Sequence, residues 1–138
     1  MQKSKREFFK KCIREFHNEL LPQMGHGTDE ELESVIDSCI SNPSLFYIME
    51  EGKGMILGAI TPYMFNPSRI ISTEIGWYVL PEHRNSRVGL KLIKQFEDES
   101  VARGADLLLM ATLDANDISE YYIKKGYNAQ EKFFYKEI

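Results

Sequence analysis

The stretch that most constrains this chain is EIGWYVLPEHRNSRVGLKLI, residues 74–93. An aromatic-rich apolar run ends at Pro81, a polar stretch follows through Arg87, and Gly89, Leu92, Ile93 and Phe96 then recur at helical spacing. This pattern predicts a strand that runs through a short loop directly into a helix.

The junction also carries chemistry. Free N–H groups in the first turn of a helix and the positive end of its dipole both face the preceding loop, so an anion such as pyrophosphate can be held there by backbone alone. Gly89 permits a ligand to approach the backbone closely. Arg84, Arg87, Lys91 and Lys94 form a basic cluster on a chain of formal net charge −4. A phosphate-rich ligand accounts for that imbalance, and so does the plainer reading in which Asn85 or Ser86 caps the helix and the basic side chains are solvated.

The flanking sequence supplies the rest of the fold. Phe9, Cys12, Ile13, Phe16 and Leu20 lay an apolar stripe along a first helix that ends near Pro22. Thr28 and Glu31 form a capping box for a second helix running to about Asn42. LFYIMEE, the turn-like EGKG and MILGAIT predict a hairpin, and a third strand, Ile70 to Val79, follows a proline-containing loop. After that helix, closed by Arg103-Gly104, ADLLLMAT reads as a strand covered on both faces. A capped helix stopped by Gly126 and a final strand, KFFYKEI, complete the chain. The expected fold class is α/β (mixed α+β), a central mixed sheet flanked by helices, in one domain spanning residues 1–138.

Composition narrows the partners. With 17 basic and 21 acidic residues the chain lacks the basic excess of a nucleic-acid-binding surface. No apolar run approaches the roughly 20 residues of a membrane span, and the basic start MQKSKREFFKK lacks the apolar segment of a signal peptide, so cytoplasmic residence is expected. Cys12 and Cys39 fall one in each predicted helix and read as buried free thiols, and His17, His26 and His83 lack ligand spacing. No metal is expected.

VLPEHRNSRVGLKL resembles the signature of the GNAT superfamily of N-acetyltransferases, a V-x-P strand end followed by [RQ]-x-x-G-x-[GA] and an apolar helix. Val79, Pro81, Arg84 and Gly89 match it, whereas Arg87 stands where the family usually has its first glycine. SEYYIKKGY is similar to the family's helix ending in Y-x-x-x-G-[FY], with Tyr122, Gly126 and Tyr127 at the matching positions. The family's asparagine lies seven residues before the tyrosine; here Ala115 takes that place and Asn116 comes one later. The family's usual first strand is short or missing, because the apolar pattern begins at once as a helix.

The resemblance implies acetyl-CoA as co-substrate, bound where two parallel strands splay apart. Trp77, Tyr78 and Val79 would form the strand edge that pairs with pantetheine. The pyrophosphate would sit on the loop and helix start, Arg84, Asn85, Ser86, Arg87, Val88, Gly89 and Leu90, with Asn116 as a further contact. Tyr122 matches the general-acid position. Glu74, a carboxylate within a strand, is the candidate base, although it could equally face solvent or pair with Arg69. The acceptor would be a primary amine of a small molecule, peptide or protein, and a homodimer would be in keeping with the family. The rival reading is a GNAT-fold binding or structural module without catalysis.

Overall fold

A computed structural model describes all residues, 1–138. Helix α1 (Lys3–Leu20) is the first element, and α2 (Asp29–Ser41) follows. Thr28 accepts the Glu31 N–H, and the Glu31 side chain accepts the Thr28 N–H, completing the capping box. Strands β1 (Leu45–Glu50), β2 (Gly54–Tyr63) and β3 (Asn66–Val79) form an antiparallel meander. A 3-10 turn (Pro81–His83), α3 (Val88–Ala102), β4 (Leu107–Leu109) and α4 (Ser119–Lys124) complete the elements. The sheet order is β1-β2-β3-β4, with β4 parallel to β3. No helix is long and apolar enough to cross a membrane.

Alternation along β2 divides the core into two layers. Met55 and Leu57 point to one face, where Phe8, Phe9 and Cys12 of α1 and Ile36 and Cys39 of α2 pack on them. Ile56 points to the other, against Val88, Leu92 and Phe96 of α3. Phe9, Ile36, Ile56, Leu92 and Phe96 have essentially no solvent exposure, each worth about 2–3 kcal/mol of transfer free energy. Both cysteines are buried free thiols. Gly58 is required by this packing, since a Cβ there would lie 2.4 Å from the Phe46 ring and 2.8 Å from Phe96. Gly104, with φ of +88°, and Gly126, with φ of +91°, follow the ends of α3 and α4 as expected.

Three expectations need correction. The proline-containing loop before the third strand is itself strand: β2 and β3 extend through Pro62 and Pro67 to a tight turn at Met64-Phe65. Proline is tolerated in that extension because β1 reaches only as far as Ala59, so the far end of β2 has a free edge. The run ADLLLMAT forms only a three-residue strand, and Leu107–Met110 are half-buried rather than covered on both faces. The final KFFYKEI forms no strand, because no ladder of its own chain lies beside it. Phe133 and Phe134 are each 86% exposed.

Candidate active site

Strand β3 creates the site by losing its partner. It pairs with β4 only at Ile71, Ser72 and Thr73. One residue later the β2–β3 register shifts: Gly58 opposes Glu74 and Leu57 opposes Gly76, leaving Ile75 as an extra, unpaired residue. A bulge bends its strand and increases the local twist. From Glu74 onward β3 and the chain after β4 therefore diverge around a cavity of about 520 Å³. Its walls are Glu74 to Val79 on one side and Ala111 to Leu113 on the other. The start of α3 closes one end, and Phe16, Leu20 and Leu21 of α1 reach over another.

Of the residues singled out in the sequence, Glu74, Trp77, Tyr78, Val79, Arg84, Ser86, Gly89, Leu90 and Asn116 line this cavity. Asn85 and Arg87 are exposed on the loop outside it. Arg87 is the N-cap of α3, with φ of −86°, a backbone conformation open to any residue. Val88 turns its side chain into the core and reaches the junction only through its backbone N–H, which donates to Ser86 Oγ at 3.3 Å. At Gly89 a Cβ would lie 3.6 Å from Trp77 and 3.7 Å from Val79, an ordinary contact, so the glycine is not demanded by packing. The indole Nε1 of Trp77 is buried without a hydrogen-bond partner. An orphaned donor on a cavity wall is available to a ligand.

Glu74 faces the cavity and forms no ion pair with Arg69. Burial pushes its carboxyl up to about 7, while the backbone of Ala111 acts in the opposite direction. The Tyr122 hydroxyl donates to the Ala111 carbonyl at 2.9 Å, and burial, followed by the nearby Glu74 charge, raises its pKa. Ala111 therefore links the two residues put forward as base and acid. Tyr122 is 7% exposed, and it is the neighbouring Tyr121 that lines the cavity. Tyr122 packs on Tyr127, whose hydroxyl donates to Glu97 at 2.7 Å. Asp117 accepts from the Ser119 N–H and hydroxyl at the start of α4.

The basic cluster is largely engaged. Arg84 grips Glu19 of α1 with both terminal nitrogens at 2.8 Å, and its Nε donates to the Val79 carbonyl at 2.9 Å. Glu19 also accepts from the Tyr78 hydroxyl at 3.0 Å, and the Arg84 interaction holds its carboxyl below the usual range. Lys91 lies 3.7 Å from Glu50, and Lys94 pairs with Asp98. The acidic start of α2 is engaged as well: Asp29 and Glu33 bind Lys10, Asp29 lies near Arg14, and Glu33 and Asp37 bind Arg6. Those carboxylates tie α1 to α2 and are not free to attract a cation. Sequence reasoning missed Glu19, whose partner lies 65 residues away, and Tyr121, which nothing but its adjacency to Tyr122 marks.

The sequence profile of the acetyltransferase (GNAT) family matches residues 12–127. The chain belongs to the GNAT acetyltransferase family. None of the curated proteins matches it. Among solved structures it is similar to a transcriptional regulator from Bacillus halodurans C-125, at 14% identity and a TM-score of 0.79, covering 100% of this chain and 96% of that one. It is also similar to aminoglycoside N-acetyltransferase AAC(6')-Iy in complex with CoA, at 22% identity and a TM-score of 0.73, covering 99% and 91% of the two chains. Glucosamine-6-phosphate N-acetyltransferase from Arabidopsis thaliana is similar at 17% identity and a TM-score of 0.70, covering 96% and 92%. These likenesses establish the GNAT fold.

Proposed function

We propose that this protein transfers the acetyl group of acetyl-CoA to a primary amine by direct attack. The observation that carries the reading is a carboxylate, Glu74, held near neutrality on the wall of a cavity that leads to the free first-turn amides of α3. A cavity of about 520 Å³ is within the size range of small-molecule sites. The amides of Gly89 and Leu90 suit the pyrophosphate, and the unpaired Trp77 Nε1 suits a polar group of the pantetheine arm. CoA complexes of proteins with this fold support the choice of co-substrate.

The chemistry asked of the chain is two proton transfers. The amine nitrogen forms a bond to the thioester carbonyl carbon, the carbon–sulfur bond breaks, and the nitrogen's proton passes to Glu74. A base with a pKa of about 7 is part-ionised at neutral pH and strong enough to accept. The departing thiolate takes a proton from Tyr122, whose raised pKa keeps its hydroxyl protonated until that moment. Delivering that proton requires the hydroxyl to turn from the Ala111 carbonyl toward the cavity.

That same Tyr122–Ala111 bond favours the second reading, a module that binds acetyl-CoA without turning it over. Mass spectrometry of an amine panel incubated with the protein and acetyl-CoA separates the two. A product 42 Da heavier than its amine, lost with Glu74→Gln, supports transfer. Binding of acetyl-CoA with no amine modified would leave the module.

A further inference from the structure

The two faces of β3 divide the cavity. Trp77 and Val79 pack in the α3 layer of the core, and Tyr78 packs in the α1 layer. A cofactor whose pyrophosphate lies on the first turn of α3 enters along the α3 face, which leaves the α1 face to the acceptor. That side is walled by Phe16, Leu20 and Leu21 of α1 and by Ile75, the bulge residue, whose side chain is half exposed.

A smaller recess of about 30 Å³ lies in the same layer, and it shares Phe16, Ile75, Trp77 and Tyr78 with the large cavity. Met55 and Leu57 are among its other walls. Gly76 creates this space. The residue is buried, and a Cβ there would meet only Leu57, at 3.5 Å, so crowding does not demand a glycine. What the missing side chain leaves is room for roughly one or two methylene groups. The polar tips on this side are engaged: His17 Nδ1 donates to the Ile13 carbonyl at 2.7 Å, and the Tyr78 hydroxyl donates to Glu19.

Charge narrows the acceptor further. Glu74 is the only carboxylate lining either space. Glu19 is held by Arg84 and Tyr78, and Glu15, whose Oε2 is buried and unbonded, lines neither space. One ammonium can therefore be met by a carboxylate, and the remainder of the molecule meets hydrocarbon. A second cation carried into that space would be buried unpaired, which is strongly unfavourable.

We propose, resting on the acetyl-transfer reading for the reacting nitrogen, that the acceptor is a primary monoamine with an apolar alkyl or aryl body. Its nitrogen lies at Glu74, its body rests on Phe16, Leu20 and Ile75, and its far end enters the recess over Gly76. Polyamines and other multiply charged amines are excluded by the same walls that favour it.

The test is calorimetric titration of the full-length protein, saturated with CoA so that no transfer occurs, with n-propylamine, n-hexylamine and 1,6-diaminohexane. Turnover of the same amines with acetyl-CoA is followed in parallel by mass spectrometry. Each buried methylene contributes about 4-fold in affinity, so hexylamine is expected to bind roughly 60-fold more tightly than propylamine. The diamine is expected to bind about 100-fold more weakly than hexylamine. Gly76→Ala, whose methyl group takes up part of the recess, is expected to lower the hexylamine-to-propylamine ratio about 4-fold with its melting temperature retained. Absence of hexylamine binding, a ratio near one, or a ratio unchanged in folded Gly76→Ala would overturn the proposal. So would a diamine bound as tightly as hexylamine, which would make Glu15 the carboxylate for a second ammonium. Binding in the expected order with no acetylated product would support the apolar amine site and sink the transfer reading, whereas acetylation of the diamine in preference to hexylamine would do the reverse.

Discussion

The two edges of β3 teach different lessons. Toward β2 it is paired over ten positions, from Gly54↔Val79 to Tyr63↔Asn66, beside a strand buried on both faces at Met55, Ile56 and Leu57. Toward β4 it is paired at three, and beyond them lies the cavity. One strand thus gives the fold its stability on one side and its binding site on the other, with the bulge at Ile75 marking the change. Side chains near the first edge are fixed by packing; those along the second are free to be chosen for chemistry. Gly58 and Gly89 illustrate this, one with no room for a methyl group and the other with room to spare.

The sharpest way to break the comparison is to substitute on the packed edge. Gly58→Ala is expected to destabilise the fold by about 3 kcal/mol, measured by denaturant unfolding, because Phe46 and Phe96 cannot both withdraw from the added Cβ. Gly89→Ala is expected to leave stability unchanged. An equal loss from both would mean that the two edges are not the different environments described.

On the open edge the largest expected effect is on rate. Glu74→Gln is expected to lower kcat/KM about 100-fold at neutral pH and to remove a rise in wild-type rate centred near pH 7. Stability has the opposite pH dependence. The folded-state pKa of Glu74 lies above that of the unfolded chain, so between about 4.5 and about 7 the folded state binds the proton more tightly. Wild type should therefore lose stability as pH rises through that window, and Glu74→Gln should lose less. Matched melting curves at pH 5 and pH 8 check the sign.

Ser72 and Ser100 supply a smaller effect at the base of the paired segment. Their hydroxyls meet at 2.7 Å with no solvent exposure, and Ser100 also reaches the Phe96 carbonyl. Ser100→Ala is expected to cost about 1–2 kcal/mol in chemical denaturation by stranding the Ser72 hydroxyl. The smallest effect concerns Glu19. Releasing Arg84 with Glu19→Gln is expected to tighten CoA binding about 3-fold at low salt, a gain that fades as salt screens the exposed charges.

What was legible in the sequence follows the range of the interactions. The Thr28–Glu31 capping box, the turn after Glu50, and Gly104 and Gly126 beyond their helices are decided within a few residues. The strand-to-helix junction was legible for the same reason, and with it half of the cavity wall. The rest depends on distant partners. Pro62 and Pro67 are tolerated in strands only because neighbouring edges are open, and the run at Leu107 and the segment from Lys132 lack strands beside them that no local pattern announces. Arg84 faces Glu19 across 65 residues, so its spacing in the loop marked a phosphate ligand without revealing the carboxylate that holds it.

Calorimetric titration with acetyl-CoA, on wild type and on Gly89→Trp, tests the central claim most directly. The account predicts saturable one-to-one binding by wild type and its loss in Gly89→Trp with the melting temperature retained, since the indole would fill the junction between Trp77, Val79 and the start of α3. Folded wild type that fails to bind acetyl-CoA, or Gly89→Trp that binds it undiminished, would contradict the placement of the site.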